Sequence, residues 1–218
     1  MARVLLLFAH PGPRHSRLNL RMAQKARVLD GITFVDLYAE YPRFNIDIDI
    51  EQARLLAHDI VIFQFPIYWY SVPSLLKEWQ DLVLEYGFAF GHGAKLGGKM
   101  LLPICSTGGA ASAYSEQGAN HFRLRTLLSP LEQTANLCGM RFLPPMALFS
   151  AHDSLTDGRA ETHMAAYVTL LEALRDDRLD LDAMSKLELI GDDLAPLIRP
   201  PTVRDAAGGD VETARAMP

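Results

Sequence analysis

Three short segments carry residue types suited to one composite task, holding a phosphate that bears a flat ring. The first is His10–Asn19, HPGPRHSRLN, in which Ser16 stands where a helix N-cap belongs. The free N–H groups and the dipole of a helix start favour a phosphate, and Ser16 and Asn19 add side-chain donors. The second is Pro66–Tyr70, PIYWY, where three successive aromatics are costly to leave in water and suit a stacked ring. The third is Ser106–Gly109, STGG, whose paired glycines let backbone approach a ligand closely and whose Thr107 brings a hydroxyl. Tyr114 follows a few residues on. Taken singly, each has an ordinary reading: a capped loop, a hydrophobic cluster or subunit interface, and a common strand-to-helix turn.

The elements that flank these segments place them together. Val4–Ala9, Ile60–Phe65 and Met100–Cys105 are short continuous apolar runs, the signature of strands buried on both faces, and each leads into one of the three segments. Between them, Leu18, Met22, Ala26 and Leu29 recur at helical spacing, and Ile32–Leu37 reads as another strand. Tyr38–Asp49 reads as irregular and Ile50–Ala57 as a short helix. Leu75–Glu85 reads as an amphipathic helix with Pro73 at its first position. Leu127–Leu137 is helical but broken near Pro130. Arg141–Phe149 holds a strand that Pro144 and Pro145 confine to an edge or split. Thr156–Leu174 is a last helix, capped by Thr156 or Asp157. Alternating strands and helices imply a parallel sheet with helices on both faces and right-handed crossovers. In such a sheet ligands bind beyond the carboxyl ends of the strands, the edge that all three segments share.

Composition bounds the alternatives. The 218 residues suit one α/β domain, with 49% hydrophobic and 22% charged residues. The formal net charge of −5 argues against nucleic acid as a partner. No apolar run is long enough to span a membrane, and neither a signal peptide nor a CxxC pair is evident, so a cytoplasmic location is expected. Cys105 and Cys138 are not spaced as a zinc site. Cys105, beside the third segment, reads as a reactive thiol or, more ordinarily, as an inert buried one. His10 and His15 have no nearby carboxylate or Cys to complete a metal site, so no metal is expected and a phosphate-loop role fits them better. Gly93–Lys99, GAKLGGK, matches GxxxxGK, but Met100 stands where magnesium needs a hydroxyl, and the segment precedes a strand. The absence of GxGxxG after the first strand argues against a dinucleotide Rossmann site, and no GxSxG elbow supports a hydrolase. After about Arg178 the composition shifts to a charged tail broken by Pro196, Pro200, Pro201, Gly208 and Gly209. The expected organisation is a domain over 1–177 and an extension over 178–218, docked or loosely held.

The segments AHPGPRHSRLN with the following RM, LYAEYPRFNIDID, QFPIYWYSVPSLLKEW, FAFGHG, STGG and PLEQTANLCGMRFLPP run in order through most of the chain. Together they resemble the NAD(P)H dehydrogenase (quinone) family of flavodoxin-like proteins, and within it the ancillary flavoproteins of glutathione-regulated potassium-efflux systems. The resemblance implies a flavodoxin-like, doubly wound, five-stranded parallel sheet of order 2-1-3-4-5, a homodimer and bound FMN. By the same likeness, His10, Ser16, Arg17, Leu18 and Asn19 surround the FMN phosphate. Pro66, Ile67, Tyr68, Trp69 and Tyr70, with Ser106, Thr107, Gly108 and Gly109, line the ring. In the mammalian-type quinone reductases a Tyr and a His assist hydride transfer. Tyr114 matches that Tyr, while the His position reads Asn120, with His121 beside it.

The activity this implies is two-electron transfer, by hydride through the flavin N5, from NAD(P)H to a quinone. A second reading is an ancillary subunit of a potassium-efflux transporter, peripheral on the inner face of the membrane. A one-electron flavodoxin carrier fits less well, because its phosphate loop is shorter and rich in Ser and Thr. The residues read with FMN or with FAD, and FAD would need an additional adenine pocket.

Overall fold

The computed structural model describes residues 1–12 and 16–200. Pro13, Arg14 and His15, and the tail glycines and proline beyond Pro200, lie outside the described residues. The centre of the fold is a parallel sheet built from β1 (Val4–Phe8), β2 (Ile32–Asp36), β3 (Ile60–Pro66), β4 (Met100–Ser106), β5 (Arg141–Phe142) and β6 (Met146–Leu148). The order is β2-β1-β3-β4-β5, with β6 also on β4. The fifth position is one strand cut in two: Arg141 and Phe142 pair low on β4, and Met146–Leu148 pair high against Ile104–Ser106. Pro144 and Pro145 make the cut, since neither can donate to the ladder.

Alternation along the strands feeds two cores. Val4, Leu6, Phe8, Ile60 and Ile62 face α1 (Arg17–Arg27) and α7 (Arg159–Arg175). Leu5, Leu7, Val61, Phe63 and Phe65 face the layer of α4 (Ser74–Val83) and α6 (Ser129–Leu137). Four boundaries differ from those the sequence suggests. Pro73 is the N-cap of α4, in extended conformation, rather than its first helical residue. Tyr38–Asp49 is not wholly irregular: α2 (Leu37–Glu40) lies at its start, and α3 (Ile48–Ala57) begins early because Asp47 caps it through the Ile50 N–H. Pro130 falls in the first turn of α6, where its missing N–H costs nothing, and α5 (Leu124–Leu127) precedes it. The last helix starts at Arg159, after Gly158 at φ 84°.

A buried carboxylate ties α3 to α4. Glu51 is fully buried and accepts hydrogen bonds from the Tyr41 hydroxyl (2.7 Å) and Trp79 Nε1 (2.9 Å), and it pairs with Arg54. Arg54 also pairs with Glu40 at 3.0 Å. Burial first, then the Glu51 carboxylate, raises the Tyr41 phenol above its usual range, so it remains a donor.

Beyond α7 the chain turns back along the sheet. Leu179, Met184, Ile190, Leu194 and Leu197 enter the α1/α7 core, with α8 (Leu181–Ser185) among them. Ile190 forms a parallel bridge with Met146, its N–H donating to the Pro145 carbonyl at 2.8 Å. His163 Nδ1, on α7, lies 2.7 Å from Asp192 Oδ1. No helix among the described residues is long and apolar enough to cross a membrane.

Candidate functional site

Because β1, β3 and β4 are parallel and in register, their carboxyl ends bring the three segments to one place. A cavity of about 400 Å³ lies there, within the roughly 300–1,000 Å³ typical of small-molecule sites. His10, Ser16, Arg17, Leu18 and Asn19 line it from the first segment, Pro66, Ile67 and Tyr68 from the second, and Ser106, Thr107 and Gly108 from the third. Ala151, His152 and Leu155, after β6, complete the lining. No carboxylate lines it among the described residues, although acidic residues outnumber basic ones in the chain. The cavity therefore suits an anion.

The phosphate-type end is built by the helix start. Ser16 caps α1 with its Oγ, which accepts the Asn19 N–H at 3.2 Å and Asn19 Nδ2 at 3.1 Å. The Arg17 and Leu18 N–H groups are then the first-turn donors left without an intrahelical acceptor. Asn19 Nδ2 also donates to Ser106 Oγ at 2.9 Å in a buried contact, which fixes the helix start against the end of β4. His10 is 3% exposed and stacks on Phe8. Its Nδ1 accepts the Gly12 N–H at 3.1 Å, so the neutral ring carries its proton on Nε2. Burial lowers the His10 pKa below its ordinary value. Folding thus favours neutral His10: its stabilising contribution is complete above about pH 6.5 and is lost as pH falls through the lowered value. We expect the cavity to loosen in mild acid. Protection from hydrogen exchange at Ala9 and Gly12, corrected for the intrinsic rate, should fall as the pH drops through that range in the native protein and not in a His10→Asn variant.

The ring-type end is mostly backbone. Ile67 donates its N–H to Ser106 and Tyr68 to Ser71, while Thr107 N–H goes to Leu148. Among the described residues the Trp69, Tyr70, Gly108 and Gly109 N–H groups meet no acceptor. The Thr107 hydroxyl donates to the Gly109 carbonyl at 2.8 Å and shapes that turn.

Tyr68–Ser71 is a two-residue hairpin turn closed by reciprocal 3.1 Å hydrogen bonds, with Trp69 at φ 47° and Tyr70 at φ 65°. Both central residues are left-handed, a geometry that Asn-Gly ordinarily supplies. The turn carries Trp69 outward, 94% exposed and away from the cavity lining, contrary to the expectation that its ring stacks there. Replacing Trp69 with Asn and Tyr70 with Gly together should raise unfolding stability by about 1–2 kcal/mol. Urea denaturation checks this, and an unchanged or lower midpoint would contradict the strain.

The remaining sequence candidates lie outside the cavity lining. Tyr114 packs on Phe149 at 5.5 Å between ring centroids, and Gly109 lies beneath it, where a Cβ would come 3.3 Å from the Tyr114 ring. The Tyr70 hydroxyl donates to Asn120 Oδ1 at 3.4 Å. His121 is exposed at φ 58°. None of Tyr70, Gly109, Tyr114, Asn120 and His121 lines the cavity. Cys105 is fully buried, and burial pushes its thiol up to about 12, which makes it inert rather than reactive. In the Gly93–Lys99 decoy, the Lys99 ammonium is spent on the His58 carbonyl. Among the described residues no three metal-ligating side chains gather.

A parallel sheet in this order, with an anion-favouring cavity at its carboxyl edge, defines a flavodoxin-like domain. The chain belongs to the Flavodoxin_2 family of flavodoxin-like fold, whose match covers residues 2–173. It is similar to the glutathione-regulated potassium-efflux system ancillary protein KefF of Klebsiella aerogenes, with 42% identity over 174 residues, 78% of this chain and 97% of that protein. Among solved structures it is similar to general stress protein 14 from Treponema denticola in complex with FMN, with a TM-score of 0.75, 33% identity, and coverage of 79% and 99% of the two chains. An NADPH-quinone reductase from P. pentosaceus matches with a TM-score of 0.70, 30% identity, and coverage of 77% and 96%.

Proposed function

We propose that this chain binds FMN in the carboxyl-edge cavity and passes two electrons from NAD(P)H to a quinone-type acceptor. The observation that carries this is the cavity's polarity. One end offers the Arg17 and Leu18 amides, the Arg17 side chain and the Nε2–H of His10, with no opposing carboxylate. The other offers an apolar wall of Pro66, Ile67 and Tyr68 and the unpaired Gly108 amide. Those two ends fit a phosphate and a flat heterocycle respectively. The FMN complex of the Treponema relative and the names of the quinone reductase relatives support the same reading.

Bound FMN would supply hydride chemistry at its N5. The protein's part is to hold and polarise. Ser16 and Asn19 would keep the helix start aimed at the phosphate. Gly108 would present its N–H dipole to negative charge on the ring, already oriented and needing no reorganisation. Tyr114 would donate its hydroxyl to the acceptor's oxygen, with Asn120 and His121 as further candidates on the segment that follows. Trp69, Tyr70 and Phe122 are exposed on segments joined by the Tyr70–Asn120 bond, which suits cover by a second copy.

The test is the absorbance spectrum of the purified protein, mass analysis of released flavin and an NAD(P)H–quinone assay. A colourless protein that binds no added FMN would overturn the proposal. The likeness to KefF supports a second reading, an ancillary subunit on a potassium-efflux transporter. Co-purification with such a transporter from membranes tests that role separately.

A further inference from the structure

His152 has no part in any of the three segments, yet it lines the cavity. It is exposed, and among the described residues its ring nitrogens meet no partner. The segment that carries it is held rigidly. The Ser150 N–H donates to the Gly109 carbonyl and the Ala151 N–H to the Thr107 carbonyl, each at 2.9 Å. The Ser154 hydroxyl closes back on the Ala151 carbonyl at 2.9 Å. Ser150 adopts φ 49° to make this corner.

Topology places His152 on the α1 side of the sheet. It leads into α7, and α7 packs beside α1 on the same face of the sheet. Arg21 of α1 and Glu161 of α7 pair at 2.5 Å near the two helix starts. His152 is therefore on the face of the sheet that carries α1 and Arg17, while the Ser150 and Ala151 hydrogen bonds hold its loop against Gly109 and Thr107. An imidazole there, with its hydrogen-bonding capacity unused and no carboxylate in the lining, is a donor waiting for an anion.

We infer that His152 is a ligand-binding residue that grips the phosphate and sets selectivity for phosphorylated flavin over riboflavin. The inference rests on the FMN reading above, and it adds a residue from a fourth element to that site. One hydrogen bond to a charged phosphate is worth about tenfold or more in affinity.

The experiment titrates the full-length chain, freed of any flavin it carries, with FMN and with riboflavin, following flavin fluorescence. We expect His152→Ala to weaken FMN about tenfold and to leave riboflavin within twofold. His152→Arg, which keeps a donor and a charge, should retain most FMN affinity. Thermal unfolding of both variants should match wild type, because the side chain is exposed. Unchanged FMN affinity in the alanine variant would overturn the inference and leave the FMN site standing. Equal losses for FMN and riboflavin would overturn it in favour of a purely structural role. A wild-type chain that binds neither flavin would remove the FMN site and this inference with it.

Discussion

Replacing Glu51 with alanine should lower the unfolding free energy by about 3 kcal/mol. The carboxylate is fully buried, and its loss strands the Tyr41 hydroxyl, Trp79 Nε1 and one side of Arg54 together. Each stranded neutral donor costs about 1–3 kcal/mol. Arg54 softens the total, because it is partly exposed and keeps Glu40. Glu51→Gln should cost less, since an amide oxygen still accepts one bond while the charge is gone. Urea unfolding followed by tryptophan fluorescence measures both variants. If both stay within about 0.5 kcal/mol of wild type, the network is not what joins α3 to α4. The effect reaches the site, because α4 is the helix into which Pro66–Val72 leads, and Tyr38 also bonds the Leu75 N–H at 3.4 Å.

Asn19→Asp should weaken FMN on the order of a hundredfold while the chain stays folded. The variant loses both Nδ2 donations, to Ser16 and to Ser106. It also puts a carboxylate at the helix start where the phosphate would sit. Like charges a few ångströms apart, at an effective dielectric of about 20, repel by about 3–4 kcal/mol. The same carboxylate interacts well with the α1 dipole, which offsets part of the folding cost. Flavin titration together with a thermal melt separates the two effects. An FMN affinity within threefold of wild type would show that the α1 start does not bind the phosphate.

The site was legible in the sequence wherever local chemistry marks it. Ser16 reads as a cap from its place before a periodic run, and it caps. Asn19 follows as the residue that faces back from the third helical position, and the Ser106 contact then comes from the buried strand ends. The split of the fifth strand was written in Pro144 and Pro145. Trp69 misled, because three adjacent aromatics argue for burial only if the backbone stays extended. A left-handed two-residue turn reverses the chain and throws the ring outward. His152 carried no local signal at all. It reaches the cavity only because α7 returns beside α1, a tertiary fact that no spacing announces. The early start of α3 was available from Asp47, an acceptor one residue before the apolar face.

The return of the chain after α7 has a consequence for the solubility of the fold. β6 is three residues long and lies at the margin of the sheet, where unpaired N–H and carbonyl groups would offer a template to a strand from another molecule. Ile190 occupies that template, bonded to Pro145 and bridged to Met146, and the leucines around it roof the apolar surface beneath. The stretch that does this lies beyond the family match, which stops at residue 173. The segment thus acts as an internal blocking strand: it spends its own backbone to keep the sheet from growing by edge-to-edge aggregation, and a chain trimmed before Leu179 would expose that edge.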